Sequence, residues 1–278
     1  MLKPATSNLI NMKNKVLYQN RSLADFVAAF DAYGWIIYEN ALDSDFVDQI
    51  NHDLETAYQV RRKVQEQNGI MTDMNGTLHH ILERDNFSLK FIEQMYCDEE
   101  ISHFLGGKYI MNGMNGVING RNDNSYLSNV HRDIRTYVPN NRTLLQMIVT
   151  LDNFGVLNGA THFLSGSHKK ERKPTDEDFF EQADRAITPK GSIILFDSNI
   201  WHATGENHLP TPRRALTLGF TRPYIKQQFD YPRYLGYEFG NHLTANQRQV
   251  IGYNARVPAS LNEYYQPTHL RMYQQGQG

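Results

Sequence analysis

The stretch Gly191-Ser-Ile-Ile-Leu-Phe-Asp-Ser-Asn-Ile-Trp-His202 ends an apolar strand on a histidine, and eleven residues later Arg213-Arg214 opens another, Ala215 to Phe220. Short apolar runs bounded by Gly, Asn and Pro are strand signals. The same texture fills the chain after Gly107. Tyr109 to Asn119, Ser128 to Tyr137, Leu144 to Leu151 and His162 to Leu164 read as further strands, separated by turns such as Leu157-Asn158-Gly159 and Pro189-Lys190-Gly191. Many short strands with turn residues between them predict an all-β sandwich or barrel.

Before Gly107 the period is helical. Ser22 caps a run in which Leu23, Phe26, Val27 and Phe30 share a face, and Gly34 ends it before the short strand Trp35 to Tyr38. A second helix is expected behind Asp43 or Asp45, with Phe46, Ile50, Leu54 and Tyr58 on one side, then a loop over 68–78 and a helix within Phe87 to Leu105. The last 50 residues hold one expected helix, near Thr244 to Ile251. The sequence predicts one α+β domain over 1–278: a mainly helical part over 1–107 packed on a β core over 108–225, then a C-terminal extension over 226–278.

Composition narrows the chemistry. With 28 Lys plus Arg against 30 Asp plus Glu, the net charge is −2, and no basic block marks a nucleic-acid binder. A single Cys excludes an internal disulfide, a structural zinc site and an iron–sulfur cluster, so a metal would rest on His, Asp or Glu. No apolar run reaches membrane-spanning length and the first 20 residues show no export signal, so a cytoplasmic protein without membrane contact is expected.

His131-Arg132-Asp133 is the first site candidate. On a strand, His131 and Asp133 share a face and can share one ion while Arg132 points away, although such a pair also arises by chance. His202 is the second. Two histidines and one carboxylate on one face of an ion leave three positions for a cosubstrate and O₂. A 2-oxoacid fills two of these, and its far carboxylate needs a cation, for which an arginine fork is suited. If Arg213 faces inward, so do the small Ala215, Thr217 and Gly219; if Arg214 does, Leu216, Leu218 and Phe220 fill the space. Arg213 is therefore the expected binder and Arg214 a rim charge.

With these residues in view, the chain resembles the phytanoyl-CoA dioxygenase family of iron(II)- and 2-oxoglutarate-dependent oxygenases over most of its length. The resemblance rests on Phe30 to Leu42 (FDAYGWIIYENAL), on Asn158 to His168 (NGATHFLSGSH), and on Gly191 to His202 followed by Asn207 and Arg213. It implies a double-stranded β-helix (jelly-roll, cupin-like) core, with His131, Asp133 and His202 as ligands of Fe(II) and Arg213 on the distal carboxylate of 2-oxoglutarate. Ser165 stands where the family often has Pro. Because related halogenases replace the carboxylate ligand with a small residue, Asp133 favours hydroxylation or a related oxidation over halogenation.

Among the other histidines, His168 is expected to be structural at a strand end, His162 to face solvent, and His79-His80 to be a solvated loop pair. Six Asn fall between 112 and 129: Asn112, Asn115, Asn119, Asn122, Asn124 and Asn129. They fit a turn-rich stretch, but Asn112 or Asn115 could instead bond a polar substrate or the cosubstrate. Gln146 is a similar candidate inside an apolar run, where a buried amide needs a partner. The expected cosubstrate set is Arg213, Gln146 and Asn115; the expected substrate set is Asn112 and Arg135. No Lys/Arg cluster suggests a CoA phosphate site, so the expected partners are a small, polar or partly apolar substrate and O₂. The chain is also compatible with a homodimer. Two readings compete: a cupin-type isomerase or lyase using the metal as a Lewis acid, and a jelly-roll binding module without chemistry. Only the oxygenase reading needs a buried Arg213.

Overall fold

The computed structural model describes residues 14–71, 74–121 and 126–277, so Asn122 and Asn124 lie outside the described residues. Among the described residues the strands are β1 Lys15–Leu17, β2 Trp35–Glu39, β3 Thr77–Leu78, β4 Ile110–Asn119, β5 Leu144–Thr150, β6 His162–Phe163, β7 Asp184–Arg185, β8 Ile193–Asp197, β9 His202–Ala203 and β10 Arg213–Thr221. The α-helices among them are α1 Leu23–Ala32, α2 Ser44–Gln67, α3 Ser88–Glu93, α4 Asp98–Leu105, α5 Asp176–Gln182, α6 Tyr231–Leu235, α7 Ala245–Ile251 and α8 Leu261–Tyr264. The strands form a large sheet in the order β1-β2-β8-β5-β10-β4-β3 and a small one in the order β7-β6-β9. This is the α+β jelly roll of the double-stranded β-helix.

The large sheet is apolar on both faces, and its two faces do different things. Leu145, Met147, Leu195, Leu216 and Leu218 pack with Phe26, Phe30, Phe46 and Ile50 of α1 and α2. On the other face Ile37, Ile148, Ile194, Phe196 and Ala215 meet Phe163 of the small sheet. Alternation along β10 thus sends Leu216 and Leu218 towards the helices and Ala215 towards the small sheet. Each fully buried Leu or Ile contributes about 1.5–3 kcal/mol, so this pattern fixes the register firmly.

Local signals account for the helix starts. Ser22, Asp43, Thr175, Thr244 and Ser260 each accept a backbone N–H through their side chains, and Thr244 with Gln247 closes a capping box. The expected helix within Phe87 to Leu105 is two, because Met95 and Cys97 take positive φ and break it. Cys97 caps α4 and is fully buried.

The corner before β2 is tightly specified. Gly34 has φ +82°, and a Cβ there would stand 2.4 Å from His168 Nδ1. His168 therefore packs on that corner, and it does not line the main cavity. Ser165 has its own role: it accepts a hydrogen bond from Trp35 Nε1 (2.9 Å) and donates to Asp184 (2.5 Å), joining the two sheets. A proline could do neither.

The predicted strand Ser128 to Tyr137 does not form. A 3₁₀ turn covers Tyr126–Ser128, and beyond it only an isolated bridge, His131 to His202, continues the small sheet.

Candidate active site

A cavity of about 530 Å³ opens between the sheets, within the size range of small-ligand sites. His131, Asp133 and His202 stand together on its wall, with ligand atoms all within 4.8 Å of one another. Their proximity does not come from strand alternation. The backbones of His131 and His202 exchange two hydrogen bonds of 3.0 Å, and the N–H groups of Asp133 and Ile134 donate to Ser198 O just beyond β8. The chain is thereby pinned beside the end of β8 without a continuous ladder.

The imidazoles are oriented for one shared partner. Nδ1 of His131 lies 2.7 Å from Asn129 O, and Nδ1 of His202 lies 3.1 Å from Ile200 O. This fixes both tautomers with Nδ1 protonated and leaves Nε2 as the free lone pair. The two Nε2 atoms lie 3.6 and 3.7 Å from the Asp133 oxygens. These separations exceed a hydrogen bond and are close to what three donors show when each is about 2 Å from one ion. Burial against Phe163 and Phe196 pushes the His202 imidazolium down to about 4, so the ring is neutral and able to ligate. The donor set fits a divalent iron with open positions.

Arg213 lines the same cavity, only 2% exposed. Its guanidinium lies 4.2 Å over the Phe154 ring and makes no hydrogen bond among the described residues, Nε being fully enclosed. Burial lowers it to about 10, so it is still charged at neutral pH. A desolvated cation with free donors is costly unless an anion meets it. Arg214 is spent elsewhere, paired bidentately to Asp152 at 2.8 and 3.0 Å. Asn207 secures the loop before Arg213 by donating to Asn119 O and Thr211 O and accepting from Leu209 N.

Arg132 does point away from the cavity's metal ligands: it lies over Trp201 at 4.2 Å and Tyr137 at 4.8 Å and donates to Glu171 O and Ser167 O. Asn112, Asn115, Gln146 and Arg135 all line the cavity, the last exposed at its mouth. Two expectations for histidines fail. His162 is buried, ringed by Phe179 and Phe180, because α5 covers it. His79 and His80 are not a solvated pair: Arg61 holds both carbonyls, His80 stacks on Phe229 at 4.6 Å, and His79 lines the cavity. Gln228, from the C-terminal extension, and Thr161 and Thr204, near the metal residues, also line it. The Thr175-x-x-Asp178 cap is a local signal for α5 that the sequence reading did not use, whereas no local pattern marks Gln228.

The family model described as phytanoyl-CoA dioxygenase (PhyH) matches residues 30–215. An uncharacterised protein of Mycobacterium tuberculosis is 27% identical over 268 residues, covering 93% of this chain and 97% of its own. The iron/alpha-ketoglutarate-dependent dioxygenase ausU of Aspergillus calidoustus is 26% identical over 163 residues, 55% of this chain and 54% of its own. Among solved structures, AviO1 from Streptomyces viridochromogenes Tue57 is similar with a TM-score of 0.56 and 17% identity, over 74% of this chain and 97% of that one. The non-heme alpha ketoglutarate dependent carbocyclase SnoK from nogalamycin biosynthesis has a TM-score of 0.56 and 14% identity, over 74% and 85%. These structures share its fold.

Proposed function

The chain belongs to the phytanoyl-CoA dioxygenase family and is a non-haem iron dioxygenase with Fe(II) and 2-oxoglutarate as cofactors; we propose that it hydroxylates a small polar substrate, releasing succinate and CO₂. One observation carries this reading: a free, buried Arg213 shares a cavity with His131, Asp133 and His202. A Lewis-acid isomerase or a binding module has no use for that cation.

In this reading His131, Asp133 and His202 hold the iron, and Arg213 receives the distal carboxylate of 2-oxoglutarate through charge-assisted bonds. Bound iron with 2-oxoglutarate supplies the oxidation of a C–H bond. The chain's residues orient and enclose. Asp133, His131 and His202 would hold such an ion from one side of the cavity and leave it positions for a cosubstrate and O₂. Ala215 and Thr217, following Arg213 on the cavity side of β10, leave room where larger side chains would block the cosubstrate. Phe196 and Phe154 exclude water around His202 and Arg213, which strengthens each ionic contact. Asp133 also argues for hydroxylation over halogenation, since it fills the position a halide would need.

Anaerobic addition of Fe(II) and 2-oxoglutarate should give a weak visible charge-transfer band that His131→Ala abolishes. A wild-type protein that binds the metal yet shows no band rules this function out. With a metabolite panel, succinate release identifies the substrate.

A further inference from the structure

The far end of the cavity from Arg213 has a different chemistry. Six residues along β10, about 20 Å at the usual rise per residue, Gly219 stands opposite Gly113 on β4 and Gln146 on β5. The β4 register then shifts: Phe220 pairs with Met111, so Asn112 is the extra residue of a β-bulge. In a regular strand Asn112 and Asn115 would face opposite sides. The bulge re-aims Asn112, and both line the cavity.

The two facing glycines leave a stretch of floor without side chains. A Cβ on Gly219 would stand 3.1 Å from Gln146 Oε1, and one on Gly113 would stand 3.2 Å from Gln228 Oε1 and 3.7 Å from Asn115 Nδ2. Three amides therefore stand close over the glycines, with Leu144 Cδ1 beside them, 3.3 Å from the Gly219 Cβ position. Their hydrogen-bonding capacity is largely unspent. Among the described residues Asn112 donates to Lys226 O and its oxygen accepts nothing, while Asn115 accepts from His80 N and its NH₂ donates to nothing. The Gln146 and Gln228 side chains make no hydrogen bond among the described residues.

We propose that this bulge and glycine floor form the substrate subsite, and that it takes a neutral polyhydroxylated ring, a sugar or cyclitol, lying on Gly113 and Gly219. Hydroxyls donate and accept, as the four amides do. An acyl chain would strand the buried or half-buried amides of Asn112, Asn115 and Gln146 at about 1–3 kcal/mol each. A carboxylate or phosphate only accepts and would leave the amide oxygens unmatched, and a cation would find only one carboxylate residue, Asp133, among the described lining. With no side chain on Gly113 or Gly219, a ring can approach the backbone between these amides, which an added Cβ would press upon. Gln146 and Asn115 thus serve the substrate instead of the cosubstrate. The inference rests on the oxygenase reading for the subsite's role, not for its ability to bind.

Saturation-transfer NMR on the full chain loaded with Zn(II), to stay diamagnetic, and 2-oxoglutarate tests this with myo-inositol, methyl glucosides and methyl galactosides beside octanoylcarnitine and octanoate. At least one hydroxylated ring should bind, and Gly219→Ala and Gln146→Glu should each weaken it tenfold or more while 2-oxoglutarate affinity stays within about twofold. Should Gly219→Ala fail to fold, the isosteric Gln146→Glu still decides. Binding of only the acyl ligands, or of no ring in the panel, overturns the proposal. So does a Gln146→Glu variant that loses 2-oxoglutarate but keeps the ring. Failure of the wild type to bind 2-oxoglutarate while it still binds a ring would refute the oxygenase reading and leave the subsite standing.

Discussion

Arg213 and Arg214 are neighbours with the same charge, and one peptide step separates a ligand-binding cation from a structural one. Arg213→Ala should raise the 2-oxoglutarate dissociation constant about 100-fold, the equivalent of roughly 3 kcal/mol for bonds to a charged group. Arg214→Ala should leave it within about threefold and cost at most about 1 kcal/mol of stability, because its pair with Asp152 is partly exposed. Titrating the charge-transfer band against 2-oxoglutarate separates the two; equal effects would refute the assignment. The pH dependence has a definite sign. The Arg213 charge is present below about 10 and lost above it. Binding of 2-oxoglutarate by a fully ionised site should therefore stay flat from pH 7 to 9 and weaken as pH rises through about 10. This residue's direction was legible, since Ala215, Thr217 and Gly219 had to share its side. Arg135 and Gln228 carried no such pattern, because neither lies on a regular strand.

At the scale of elements, periodicity located most strands within a residue or two, yet it misread the one that mattered most. Ser128 to Tyr137 has strand composition, but its backbone pairs only at His131 and through the amides of Asp133 and Ile134. Local alternation carries no information about whether a partner is available. The bulge at Asn112 was illegible for the same reason: it is a mismatch between two strands, not a property of either. Corners respond to packing. Gly34→Ala should cost about 3 kcal/mol or more, combining a left-handed φ penalty with overpacking against His168, and urea unfolding reads it directly. Asn207→Ala should cost about 2–3 kcal/mol and weaken 2-oxoglutarate as well, since it loses three bonds of a nearly fully buried amide that set the approach to Arg213.

For the whole molecule, the site joins distant parts of the chain, so ligands should stabilise the fold globally. Mn(II) or Zn(II) with 2-oxoglutarate, each near 100 times its dissociation constant, should add about 2.7 kcal/mol per bound species, seen as a rise in melting temperature. His131→Ala, Asp133→Ala and His202→Ala should each abolish the metal-dependent part. A rise that survives all three would place the metal elsewhere. Among the described residues no helix is long and apolar enough to cross a membrane. The near-neutral charge agrees with a site whose ionic groups are few and local.

The sequence by itself determined the alternation of the β core, the caps that start α1 and α2, and the residue types that could hold a metal and an anion. These depend on spacing within one segment, and spacing is written in the chain. Only the tertiary structure decided that His131 meets His202 through a single bridge, that a bulge turns Asn112 towards Asn115, and that Gln228 returns from the C-terminal extension to border the glycine floor. Each of these is a contact between segments far apart in sequence, fixed by the competition between two sheet faces for apolar cover.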